Sequence, residues 1–199
     1  MQRDVLPPDL RRRFRGGRPA IDLAHTGGEG EHARWEILHG PADLARFLAV
    51  ILELPAVRAT DADLAPARAL RAVVDRIARH LAADRTPAVA DVSALNTAAA
   101  RPALVPMLLP GGGTALADPA GTDPSAPEPS GAAALATIAR DAVDLFGGPL
   151  AARIRVCSAE NCGLLFVDAS RPGRRRWCSM EVCGNRAKIR GHRGREAGA

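Results

Sequence analysis

All four cysteines of this 199-residue chain fall within one short stretch, as Cys157, Cys162, Cys178 and Cys183 in the pattern C-x4-C-x15-C-x4-C. Two close pairs separated by a hairpin-sized insert are the ligand arrangement of a tetrahedral four-cysteine zinc site. Each pair delivers two thiolates from one tight turn, and the insert folds one pair onto the other. Two disulfides are the competing use of such a pattern, and they belong to oxidising compartments. The N-terminal "MQRDVLPPDLRRRFRGG" has no apolar core of a secretory signal. Every apolar run is broken by charge, Pro or Gly before it could span a bilayer, so no membrane association is expected. The expectation is a cytoplasmic chain whose reduced thiols hold one structural Zn2+ ion. A catalytic zinc would keep a coordination position open. Four cysteines close the set, and Glu160, Asp168 and Glu181 have no spacing that suggests a shared water.

Between the pairs, "GLLFVDASRPGRRRW" reads as a strand at Leu164–Val167, turn chemistry at Arg171-Pro172-Gly173 and a return strand at Arg174–Trp177. The second cysteine pair then opens the last helix, with Ser179 as its N-cap. Knuckle, hairpin and helix in that order are treble-clef-like. A module of this size cannot bury a core of its own, so metal supplies much of its folding free energy. Trp177 reads as core against the zinc.

Charge is placed unevenly. Residues 1–152 hold 16 Arg against 18 Asp and Glu, whereas residues 153–199 hold 11 Arg and Lys against 4 acids. Arg186, Arg190 and Arg193 share one face of the last helix, Lys188 flanks it, and Arg174, Arg175 and Arg176 lie on the adjacent hairpin. A basic face tied to a rigid metal site is suited to a polyanion. Asn185 and Arg186 have two readings. They can reach adenine and guanine edges, or Asn185 can bond backbone groups of the knuckle.

The rest of the chain reads as a mostly helical α+β domain over 19–150 with a small β-hairpin, preceded by a mobile basic arm over 1–18 that carries Arg11–Arg13. "RPAIDLAHT" is a short helix, and "GPADLARFLAVILEL" is amphipathic with Pro41 in its first turn. Thr60 and Asp63 form a capping box ahead of a long helix. Thr86-Pro87 opens a shorter helix, and Gly111-Gly112-Gly113 joins two apolar runs into a hairpin. Residues 118–131 are a flexible Pro/Ser/Gly-rich loop, and 132–148 are a final helix. The zinc module spans 153–195. With no Tyr, four Phe and two Trp, the core must be aliphatic. No P-loop, G-x-S-x-G, dinucleotide glycine pattern or H-E-x-x-H occurs, and the chain is expected not to be an enzyme.

"CSMEVCGNRAK" after "GLLFVDASRPGRRRW" resembles a CGNR zinc finger, named for Cys183-Gly184-Asn185-Arg186. "AIDLAHT" followed by "WEILHGPADLARFL" is similar to the N-terminal signature of the ABATE domain, with His25 where that pattern is expected to favour Asn. The resemblance implies a stress-linked transcription regulator: a sensor-like α+β domain followed by a DNA-binding treble clef whose zinc is held by the four cysteines.

Asp22, His25, Thr26, Arg34 and Trp35 are the polar and aromatic residues of that signature. They are candidates for a small-molecule effector pocket. Alternatively Asp22 and Thr26, at i and i+4, only cap a short helix. The leading expectation is a zinc-dependent DNA-binding regulator whose body senses a ligand or forms a homodimer. The alternatives are an RNA-binding module, which the scarcity of aromatic stacking platforms disfavours, and a protein-interaction adaptor.

Overall fold

The computed structural model describes residues 14–28, 30–119 and 128–189. Arm residues 1–13, the middle of the 118–131 loop, Arg190 and Arg193 lie outside them. Helix α1 (Pro19–Ala24) is followed by a 3-10 segment (Gly30–Trp35), α2 (Pro41–Ile51), α3 (Asp61–Ala82), α4 (Val89–Ala99), the antiparallel pair β1 (Val105–Leu108) and β2 (Thr114–Ala117), and α5 (Gly131–Gly147). Among the described residues no helix is long and apolar enough to cross a membrane.

Helix α3 is the axis of the body because its apolar residues recur at helical spacing. Ala67, Leu70, Val73, Val74, Ile77 and Ala78 are buried along one stripe. Its start is fixed by the expected capping box, in which the backbone N–H of Thr60 donates to Asp63 Oδ2 at 2.8 Å. Helices α1, α2, α4 and α5 pack around it. Asp43 starts α2 in the same way, accepting the N–H groups of His39 and Gly40, both at 3.1 Å. Helix α4 begins later than the Thr86-Pro87 signal, at Val89, and is tied to α3 by Arg76, whose guanidinium clamps Asp91 at 2.6 and 3.0 Å. The hairpin forms across the three glycines as expected, with Val105 opposite Ala117.

The second antiparallel pair is β3 (Ile154–Val156) with β4 (Leu165–Val167). Its partners differ from the expected ones. Leu165–Val167 pairs backwards with the strand before the first cysteine, while Arg174–Trp177 is not a strand. The expected return strand lacks the alternating apolar residues that would hold it against β4. Its main chain is used singly instead, with Arg176 O accepting from Ser158 N at 2.9 Å.

Strand β4 is buried on both faces, and the two faces serve different cores. Leu165 and Val167, with Ile154 opposite Val167, join the hydrophobic core of the helical body. Phe166, pointing the other way, lies with the cysteines, Ala159 and Trp177. The segment assigned by sequence to the end of the arm is also packed here. Phe14 is 2% exposed with its ring 5.4 Å from that of Phe47, and Gly16 O accepts from Val167 N at 2.9 Å. The N-terminal strap therefore runs along the outer edge of β4.

Candidate zinc centre and its basic surface

Strand β3 leads into the first knuckle and β4 leaves it, so the hairpin closes around Cys157 and Cys162. Leu164 O accepts from Cys157 N at 2.8 Å and Ala159 O from Cys162 N at 3.2 Å. Of the second pair, Cys178 directly precedes the capping Ser179 and Cys183 lies on a π-helical turn, Met180–Gly184, which continues as α-helix through Ile189. Ser179 caps it as expected, its Oγ accepting from Val182 N at 3.4 Å. Gly184 lies beneath the Met180 thioether, and a Cβ there would stand 2.9 Å from Sδ and displace that exposed side chain.

The four Sγ atoms lie within 4.8 Å of one another. Cys162 to Cys178 is 3.8 Å, and Cys178 to Cys183 and Cys183 to Cys162 are each 3.7 Å. A regular tetrahedron with zinc–sulfur bonds of about 2.3 Å has edges of about 3.8 Å. The sulfurs therefore stand where four zinc ligands belong, and far outside disulfide bonding distance. Without a cation the thiols divide into proton donors and acceptors. Hydrogen bonds from Cys162 and then Cys178 pull Cys157 down to about 2. The bond to Cys157 pushes Cys162 up to about 12 and raises Cys178 as well. Four thiolates at this spacing need a divalent ion between them, and the N–H of Cys178, 3.4 Å from Cys157 Sγ, adds a backbone donor. Among the described residues no carboxylate or histidine joins the group. The site is closed and structural.

The basic residues divide by exposure. Arg174, Arg176, Arg186 and Lys188 are exposed, and Arg176 lies 5.4 Å over Trp177, which packs on the cysteine core as expected. Arg175 is turned inward. It lies 5.0 Å over Phe166 and donates to Cys178 O at 2.9 Å. Asn185 Nδ2 donates to Glu181 O at 3.1 Å, which is the bracing arrangement.

Asp168, which sequence reasoning treated only as a non-ligand, organises the insert. It is fully buried and accepts from Ser170 Oγ at 2.5 Å, Ser170 N at 3.0 Å and Arg175 N at 2.8 Å. Burial pushes its carboxyl up, but these donors outweigh it and hold the pKa below the ordinary value. The D-x-S spacing was the available signal.

The signature residues of the body do not converge on one cavity. Asp22, His25 and Thr26 are buried. Asp22 Oδ1 accepts from Gly16 N at 2.7 Å and stands 3.8 Å from His25 Nδ1. Thr26 Oγ1 donates to Leu23 O at 2.7 Å. Arg34 is on the outside, 4.8 Å over the ring of Trp35. Trp35 instead helps line a 260 Å³ cleft against the finger, with Cys162, Ser179, Val182 and Arg186. Sequence reasoning missed the Arg71–Glu36 pair beneath the signature, whose two bonds are 2.8 and 2.7 Å. Gly27, at φ 142°, leaves room for it, since a Cβ would lie 2.7 Å from Glu36 Cα.

Residues 17–149 match the family model ABATE, described as "Putative stress-induced transcription regulator". Residues 153–196 match the CGNR zinc finger model. No match was found among curated proteins. The two family models follow each other along the chain in the order of the body and the finger, and the second covers all four clustered cysteines. The chain belongs to the ABATE family and carries a C-terminal CGNR zinc finger whose four cysteines form one structural zinc site.

Proposed function

We propose that this protein is a non-enzymatic, DNA-binding transcription regulator of the reducing cytoplasm. In this reading zinc fixes the start of the last helix, and Arg174, Arg176, Arg186 and Lys188 meet phosphates of one duplex. The observation that carries it is the exposure of these four cations around a metal-fixed helix start, with no ion pair to any of them among the described residues. Such a surface gains affinity by releasing counterions from the duplex. Arg175 and Asn185 support it by bracing the second knuckle. The body senses an effector or dimerises, and either would act on the finger through β4.

The test is selection of zinc-loaded protein against a random duplex pool, followed by titration of the enriched sequence. The reading expects one enriched motif and an affinity that falls steeply with salt. Preferential binding to structured RNA would favour the RNA-binding alternative. Absence of both, with one stoichiometric protein partner recovered, would favour the adaptor.

A further inference from the structure

Helices α3, α4 and α5 enclose a cleft that the signature residues do not line. Its volume is 470 Å³, within the range of about 300–1,000 Å³ that small-molecule sites occupy. It stays open because Ala69, Ala94, Ala98 and Ala136 stand where longer side chains would close it. Leu70, Val73 and Leu135 give it an apolar floor. Helix α3 is also the helix against which β3 packs, so the cleft shares a wall with the support of the finger.

Two charged residues line the cleft, Asp63 and Arg101. Helix α4 runs back along α3, with Arg76 clamping Asp91, and this brings Arg101 beside the first turns of α3. Among the described residues no hydrogen bond or ion pair occupies the Arg101 guanidinium; only its backbone is used, Arg101 O accepting from Arg140 Nη2 at 3.1 Å. Asp63 commits one oxygen to the helix cap, Oδ2 accepting from Thr60 N at 2.8 Å and from Thr60 Oγ1 at 2.9 Å. Its Oδ1 accepts no hydrogen bond among the described residues. A third polar group comes from Pro66. A proline inside α3 has no N–H for the carbonyl four residues earlier, so Ala62 O loses its helical partner. Ala62 and Pro66 both line the cleft, which places that acceptor in its wall.

The cleft thus joins a cationic fork and two acceptors to an apolar floor. A guanidinium matches a carboxylate, and a carboxylate oxygen with an orphaned carbonyl matches the N–H groups of an ammonium. A ligand with only one of these charges would face an opposing like charge, Asp63 for an acid or Arg101 for an amine. We infer that the cleft binds a free α-amino acid with an apolar side chain. Its carboxylate lies on Arg101, its ammonium on Asp63 and the Ala62 carbonyl, and its side chain on Leu70, Val73 and Leu135. This rests on the effector-sensing reading above and gives the effector a chemical class.

The experiment is calorimetry on the zinc-loaded full chain with leucine and with phenylalanine. Each is compared with the acid that lacks its ammonium, isocaproate or hydrocinnamate, and with the amine that lacks its carboxylate, isoamylamine or phenethylamine. The expected result is one site per chain for at least one of the two amino acids. Both of its analogues should bind about fivefold more weakly, since each forfeits one exposed ion pair. Arg101→Gln should bring the amino acid down to the affinity of the amine, with zinc content and Tm unchanged. Ala94→Leu, from an exposed position on the rim, should fill the cleft and weaken all three. Equal affinity for an amino acid and its analogues, or no binding of either amino acid at millimolar concentration, would overturn the inference. The selected duplex separates the readings. An amino acid that binds without shifting the Kd of the duplex would keep the site and overturn the sensing reading. Duplex binding with no amino-acid site would overturn the inference and leave the DNA-binding reading intact.

Discussion

Arg71 holds Glu36 with two parallel hydrogen bonds, at 2.8 and 2.7 Å, from a position 5% exposed inside the body. Glu36 also accepts the N–H groups of Ile37 and Leu38, and Arg71 stands 3.3 Å from Thr26 Oγ1. The pair thus ties α3 to both ends of the glycine-rich loop after α1. Glu36→Ala leaves the guanidinium enclosed without its anion and should cost about 3 kcal/mol in urea denaturation. Arg71→Met with Glu36→Leu should recover most of that loss.

The same carboxylate sets an acid limit. Burial pushes Glu36 up, but the Arg71 bonds and the Leu38 N–H more than offset it, so its folded pKa lies below its unfolded value. Its contribution is present above the unfolded pKa, about 4.3, and is lost as pH falls through the folded one. The stability difference between parent and Glu36→Gln should be constant from pH 8 to 6 and shrink below about pH 4. A difference that grew on acidification would contradict this sign.

Zinc removal should reach beyond the finger. Cys183→Ser should abolish the single zinc equivalent released by a thiol-reactive mercurial. Because Phe166 faces the cysteines and Leu165 and Val167 face the body, amide exchange at Val167 should rise together with that of the knuckle. Unchanged protection at Val167 would mean that the two cores melt independently.

Neighbouring residues of β4 should separate the two cores. Leu165→Ala opens the helical body and should lower Tm with zinc retained, at a cost of about 2–5 kcal/mol. Phe166→Ala removes the floor of the cysteine cluster and should weaken zinc binding in competition with a chelator.

Arg186→Gln and Arg175→Gln should behave differently although both remove one arginine of the finger. Arg186 is exposed, and under the proposed DNA-binding function its loss should reduce the salt slope of duplex binding by about 0.9 without changing Tm. Arg175 caps carbonyls of the second knuckle, and its loss should lower Tm and zinc retention.

What could be read from sequence followed the range of the interactions involved. The metal set was legible because four ligands in two short turns need only local spacing. Helices α2, α3 and α5 were legible because apolar period and caps lie within a few residues of one another. The pairing of β4 was not, because Leu165 and Val167 look the same whether they face a return strand or a helical body formed by earlier parts of the chain. Arg175 could not be told from Arg174 and Arg176 by position in a run of three. Its inward turn depends on Asp168 holding its N–H and on the Cys178 carbonyl, both set by the loop as folded. The Arg71–Glu36 pair was hidden for a similar reason, since each residue alone reads as a surface charge.

The shared strand also limits how this finger can be handled. A fragment cut at Arg153 would carry Ile154, Leu165 and Val167 away from the helices that cover them, and would lose the Gly16 carbonyl that closes the edge of β4. Loading such a piece with zinc would restore the cysteine cluster and still leave a greasy, hydrogen-bond-hungry rim, which is a template for sticking to itself. The finger is portable only with the lid it shares, so exchanging it between relatives would require moving the matching strap and the core face of α3 along with it.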